Sequence, residues 1–108
     1  MNDAYLKRTY GITLEEWTAI GDFQNWLCAA CKRPLRRGTK QGLRVETDHD
    51  HKIKDKRRSV RGLLCGGRHY GCNRRLGRVD NVQWLQNMVE YLKNPPAQQV
   101  LKDIDGKR

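Results

Sequence analysis

The sequence predicts an α+β domain, and three observations carry that expectation. Apolar residues in the first third recur at helical spacing, two short β-prone runs follow in the middle, and a helical period returns after Asp80. At 108 residues the chain has the length of one domain with a small core. A single domain is therefore expected over 1–108, with its core over about 13–93 and a polar tail over 97–108.

Thr13 followed three residues later by Glu16 is a capping-box pattern. It predicts a helix that buries Trp17, Ile20, Phe23 and Leu27. The stretch KRPLRRGTKQGL reads as a loop from its Pro, Gly and charge content. Val45–His51 and Val60–Leu64 read as two short strands, joined by a basic turn from Lys52 to Ser59. Asn73–Gly77 reads as a short helix ended by its glycine. Asp80 is expected to cap a last helix with Val82, Leu85, Val89 and Leu92 on one face, and Asn94-Pro95-Pro96 to stop it. The polar tail from Ala97 is expected to be loosely held.

Lys and Arg number 22 against 12 Asp and Glu, a net charge of +10, and residues 32–78 carry 16 of those 22 cations. A surface built only for solubility mixes the signs, so this concentration favours a polyanionic partner such as nucleic acid or an anionic membrane surface. The longest apolar run, WLCAAC, is far shorter than the ~20 residues that span a bilayer. The N-terminus carries Asp3 and no apolar segment, unlike a secretory signal. A cytoplasmic location is expected, where thiols stay reduced and cysteine patterns read first as metal sites.

Cys28 and Cys31 form a C-x-x-C pair, and Cys65 and Cys72 follow from a distant segment. Two thiolates from one turn and two from another complete a tetrahedron, which is how structural Zn²⁺ is held. His69 lies between Cys65 and Cys72 and is an alternative fourth ligand; buried free thiols are the bland alternative. A zinc held this way would tie the end of the first helical region to the entry of the later helix, bracketing the two strands.

That knot would pin the strand bearing Asp48-His49-Asp50-His51 beside a helix that starts at Asn73. Asp48 and Asn73 are hard oxygen ligands suited to Mg²⁺, and a neutral imidazole can serve as general base. Phosphodiester hydrolysis needs that set: a base for water and a cation for the charge on phosphorus and the leaving oxygen. Neighbours on a regular strand point to opposite faces, so Asp48 and His49 can serve one phosphate only from an irregular strand; a bulge is expected near Thr47–Asp50. The competing reading makes the Asp-His pairs solvated polar residues of a hairpin.

In order along the chain, CAAC, TDHDH, VRGLLC and CNRRLG resemble the phage recombination endonuclease VII group of the HNH, or ββα-metal, nucleases, over roughly Trp17 to Leu92. The resemblance implies a small zinc-stapled ββα-metal (His-Me finger) domain with flanking helices. It implies structural Zn²⁺ on Cys28, Cys31, Cys65 and Cys72, a catalytic Mg²⁺ or Mn²⁺ on Asp48 and Asn73, and His49 as general base. Asp50 and His51 then contact substrate or support the site, with His51 the reserve base. The spacing from Cys65 to Cys72 is longer than the tight pair usual in that group. The implied function is a DNA endonuclease, structure-selective or weakly sequence-specific, acting in junction resolution or nicking during phage DNA metabolism in the host cytoplasm. A homodimer and other phage DNA-processing proteins are the partners this leaves open.

Lys52, Lys54, Lys56, Arg57, Arg58 and Arg61 on the turn, with Arg68, Arg74, Arg75 and Arg78 after it, are expected to contact phosphates of duplex, nicked or branched DNA. Such contacts position a protein without reading sequence. The rival function is a zinc-stabilised basic nucleic-acid-binding module without catalysis, for which a base beside hard-metal oxygens has no use.

Overall fold

Two local signals start the chain. Asn2 accepts a hydrogen bond from the Tyr5 backbone (2.8 Å) and opens helix α1 (Asp3–Tyr10), which stops at Gly11, where φ is 67°, a conformation that costs glycine little. The Thr13 hydroxyl accepts from the Glu16 backbone (3.0 Å) while the Glu16 carboxylate accepts from the Thr13 backbone (2.9 Å). This is the expected capping box, and it opens α2 (Leu14–Phe23). Leu6 is the buried anchor of α1, and Asp3 accepts from the Leu14 backbone (2.8 Å) to tie the helices together.

The computed structural model describes residues 2–38, 40–67, 71–77 and 79–107, in two compact units, Met1–Arg78 and Val79–Arg108. After α2 the first unit continues with β1 (Val45–His49), a short α3 (Lys56–Ser59), β2 (Val60–Cys65) and α4 (Cys72–Leu76). The strands pair antiparallel, Val45 opposite Cys65 through Asp48 opposite Gly62. The class is the α+β expected, with helices around a small antiparallel sheet. The Gln24 side chain lies along β2, donating to the Leu63 carbonyl and accepting from the Leu63 N–H, both at 2.9 Å. It gives that backbone the partners a third strand would supply.

The core gathers Cys28, Leu35, Leu63, Leu64 and Cys65, with Trp17, Ile20 and Trp26 packed against it. The expected helix face is corrected here. Phe23 is 89% exposed, and Leu27 has left the helix to bridge Pro34. The chain turns through left-handed Asn25 and Trp26 (φ 55° and 52°), which breaks the period and swings Trp26 edge-on to Trp17 at 5.5 Å. Gly21 makes room: a methyl group there would sit 2.4 Å from the Trp26 ring.

β1 ends at His49, two residues before the sequence suggests, because Asp50 starts a turn by accepting from the Lys52 backbone (2.9 Å). Within the basic turn Asp55 caps α3.

In the second unit Asn81, not Asp80, caps α5 (Val82–Lys93) by accepting from the Trp84 backbone (2.9 Å). The expected face of α5 is exposed, with Val82 68% and Leu92 70% accessible. The stretch expected to be a loose tail is a helix, α6 (Pro96–Asp105), for which Pro96 supplies a preformed first turn. No helix among the described residues is long and apolar enough to cross a membrane.

Candidate metal centre and catalytic cavity

The C-x-x-C segment folds as a tight turn because the Cys28 N–H donates to the Arg33 carbonyl (2.8 Å) and the Lys32 N–H to the Cys28 carbonyl (3.0 Å). The turn stands against the end of β2, so the sulfurs of Cys28, Cys31, Cys65 and Cys72 all lie within 4.8 Å of one another. Cys31 and Cys65 are 3.8 Å apart at sulfur, and all four thiols are free of disulfides. Four sulfurs at ~2.3 Å from a tetrahedral zinc stand about 3.8 Å from each other, so the cluster fits that ion.

Further features favour thiolates. The Cys65 N–H points at the Cys28 sulfur and the Cys72 N–H at the Cys65 sulfur, each at 3.3 Å. The Arg33 guanidinium, 3.2 Å from the Cys31 sulfur, holds that thiol down to about 6. Cys72 runs the other way: burial, and then the neighbouring cysteines, push its thiol up to about 12. His69, the alternative ligand, and the basic residues Arg68 and Arg78 lie outside the described residues.

The second centre is a cavity of about 570 Å³ over β1, lined by Asp48, His49, His51 and Asn73, with Glu46 and Arg44 beside them and Tyr5 and Tyr10 from α1 opposite. The residues expected to act together thus share one space. Beside them the ladder breaks: Asp48 pairs with Gly62 but His49 pairs with Val60, a register shift within the stretch where a bulge is expected. The extra residue is Arg61, on β2.

Arg61 is engaged inward. It donates through Nε to Asp48 Oδ2 (2.8 Å) and through Nη2 to Asp48 Oδ1 (3.0 Å), and Nη2 also reaches the His49 carbonyl (3.3 Å). Asp48 is only 8% exposed, so this fork supplies the compensation that a nearly buried carboxylate requires. The His49 ring lies 5.6 Å from Tyr10 and 4.4 Å from His51. Asn73 donates its amide N–H to Glu46 (3.4 Å), which leaves the amide oxygen as an acceptor, and Arg44 pairs with Glu46 (3.2 Å). Thr47 is fixed from behind by the Trp17 indole N–H (3.0 Å). A carboxylate and an amide oxygen on one water-accessible cavity fit a hard divalent cation, since each oxygen of Asp48 keeps lone-pair capacity beyond its Arg61 bond.

The expected phosphate-binding residues divide. Lys52, Lys54, Arg58, Arg74 and Arg75 are exposed. Lys56 donates to the Arg8 carbonyl (2.7 Å) and Arg57 pairs with Glu16, so both tie α3 to the N-terminal helices. Sequence reasoning placed Arg61 among the DNA contacts and missed its grip on Asp48. It also gave no part to Tyr5, Tyr10, Glu46 or Arg44. Aligning the two strands from Val45 with Cys65 sets Gly62 opposite Asp48 and so brings Arg61, one residue on, within reach of that carboxylate.

Against known proteins, the chain matches the recombination endonuclease VII family over residues 3–94. It is 43% identical over 95 residues to the Gene 59 protein of Mycobacterium phage D29, covering 86% of this chain and 50% of that protein. It has the same identity, over 86% of this chain and 51% of the relative, to the Gene 59 protein of Mycobacterium phage L5. The chain spans about half the length of the curated relatives it matches. No solved structure gives a significant match.

Proposed function

The chain belongs to the recombination endonuclease VII family, and from that premise we propose that it is a DNA endonuclease of the HNH type, dependent on Mg²⁺ or Mn²⁺. The observation that carries this reading is the meeting of a hard-metal oxygen of Asp48, the imidazole of His49 and Asn73 on one cavity, beside a register break between Asp48 and His49. A binding module gains nothing from that meeting.

In the proposed reaction the His49 imidazole takes a proton from water, whose oxygen attacks the scissile phosphorus as the 3′ oxygen departs. A divalent cation held by Asp48 and Asn73 supplies neutralisation of the charge at the phosphate and the departing oxygen. Arg61 fixes the Asp48 carboxylate, Tyr10 and His51 border the His49 ring, and Glu46 orients the Asn73 amide. The four cysteines hold a structural zinc that braces β2 against the C-x-x-C turn. The exposed cations of the turn and of α4 contact backbone phosphates, so recognition goes by DNA shape, with branched or nicked DNA in a phage-infected host as the natural setting.

The test is cleavage by His49→Ala with Mg²⁺ on linear, nicked and branched DNA. Cutting should fall ~10²–10⁴-fold while DNA affinity changes little, and raising Mg²⁺ should not restore it. Asp48→Ala should also stop cutting, with part of the loss recovered at higher metal. Wild-type cutting by His49→Ala and loss in His51→Ala would move the base to His51. A wild type inert on every DNA form with either metal would leave a zinc-stabilised basic binding module.

A further inference from the structure

Among the described residues the sulfur cluster has one cationic donor in contact. The Arg33 guanidinium donates through Nε to the Cys31 sulfur (3.2 Å), and its Nη2 lies 3.8 Å from the Cys65 sulfur. One planar fork therefore spans a sulfur from each half of the site, the C-x-x-C turn and the end of β2. Packing does not put Arg33 there: its side chain is exposed, and the salt bridges of the described residues join other partners. A long exposed cation loses rotamer freedom when it is fixed, so an attraction must offset that loss.

The attraction is the charge of the site. Four thiolates carry twice the charge of one Zn²⁺, so a loaded centre is a dianion. Cys28 and Cys65 hold their share of it fully buried, where uncompensated charge is costly. The backbone N–H groups of Cys65 and Cys72 point at the Cys28 and Cys65 sulfurs, each 3.3 Å away, but those donors are neutral. A hydrogen bond from a charged donor is roughly twice as strong.

We propose that Arg33 is the outer partner of the zinc centre: its guanidinium bridges the two thiolate pairs, offsets the excess negative charge and so sets how tightly the chain keeps the ion. This rests on the zinc reading of the four cysteines and not on the chemistry at Asp48 and His49. Residues that support metal ligands in this way are worth ~10–100-fold in affinity. What Arg33 secures reaches the cavity, because Cys72 opens α4 and Asn73 follows it there.

The test titrates the full chain and two variants with Zn²⁺ against a chromophoric chelator, and records the absorption of the Co²⁺-loaded forms. Arg33→Ala should bind zinc ~10–100-fold more weakly than the wild type. Arg33→Lys should recover part of the loss, because it restores the charge without the fork. The bond from the Cys28 N–H to the Arg33 carbonyl is a backbone one, so the turn survives both substitutions. With Co²⁺, Arg33→Ala should keep the d–d bands of a four-sulfur tetrahedron while its sulfur-to-metal charge-transfer band moves to lower energy. A sulfur that has lost a cationic donor gives up an electron more readily. An unchanged zinc affinity or an unmoved charge-transfer band overturns the proposal, as does collapse of the d–d bands, which would mean that the side chain only shapes the turn. A wild type that takes up neither metal removes the zinc reading itself, and this inference with it.

Discussion

Arg61 holds both oxygens of Asp48, at 2.8 and 3.0 Å, and it is also the extra residue of the bulge that separates Asp48 from His49 in register. One residue therefore makes the break and fixes the carboxylate beside it. Arg61→Ala should destabilise the fold by about 1–3 kcal/mol, since the Asp48 carboxylate, only 11% exposed, loses its compensating charge. Urea unfolding measures this. Arg61→Lys should recover part of the loss, because it restores the charge without the fork.

The sulfur cluster should bind one zinc per chain. Cys28 and Cys65 are fully buried and sit in the core itself, so the ion's binding free energy is folding free energy. Chelator should lower the melting temperature steeply, and Cys65→Ser should do the same without chelator. Because the Cys72 thiol lies at about 12 without metal, uptake must release its proton, and zinc affinity should weaken as pH falls. Elemental analysis that finds no zinc, with an unchanged melt in chelator, would remove the site.

Glu16 links α2 to α3 through Arg57. The Arg57 guanidinium first, and then the Thr13 backbone bond, hold the Glu16 carboxyl down to about 2 from its ordinary 4.5. A depressed carboxyl contributes stability above its unfolded value, and that contribution is lost as pH falls from about 4.5 towards 2. The difference in unfolding free energy between wild type and Glu16→Gln should therefore be present at neutral pH and shrink through that window. Since the pair is solvent-exposed, the difference should also be small and shrink with salt.

Lys54 and Arg58 are exposed on the basic turn. If each neutralises one phosphate of duplex DNA, the log–log salt slope of binding should become shallower by roughly 0.9 for each removed. Lys54→Ala with Arg58→Ala, titrated at several salt concentrations, checks this. An unchanged slope would assign those cations to solvated surface.

Local chemistry made much of the fold legible. The capping box, the hairpin, the four cysteines and the need for a bulge beside Asp48 all follow from neighbours in the chain, and all appear. What failed was decided at a distance. Phe23 loses its buried place to Trp26 because Asn25 and Trp26 turn left-handed and Gly21 receives the indole, which no helical period announces. Arg61 looked like one more cation in a basic run, and only its place in the ladder sets it against Asp48. The place of Tyr5 and Tyr10 at the cavity needs α1, whose strong local signals are the Asn2 cap and Gly11.

The bulge also makes chain length a functional variable. A β2 strand lacking Arg61 would keep both flanking pairs, Asp48 with Gly62 and His49 with Val60, in an unbroken ladder. Such a hairpin would be more regular, yet regularity would send Asp48 and His49 to opposite faces. A one-residue deletion there would keep the strand pairing, at the stability cost of an uncompensated Asp48, and dismantle the site, while substitutions at neighbouring exposed positions leave it standing. In this hairpin, insertions and deletions rather than side-chain exchanges are the changes that separate folding from chemistry.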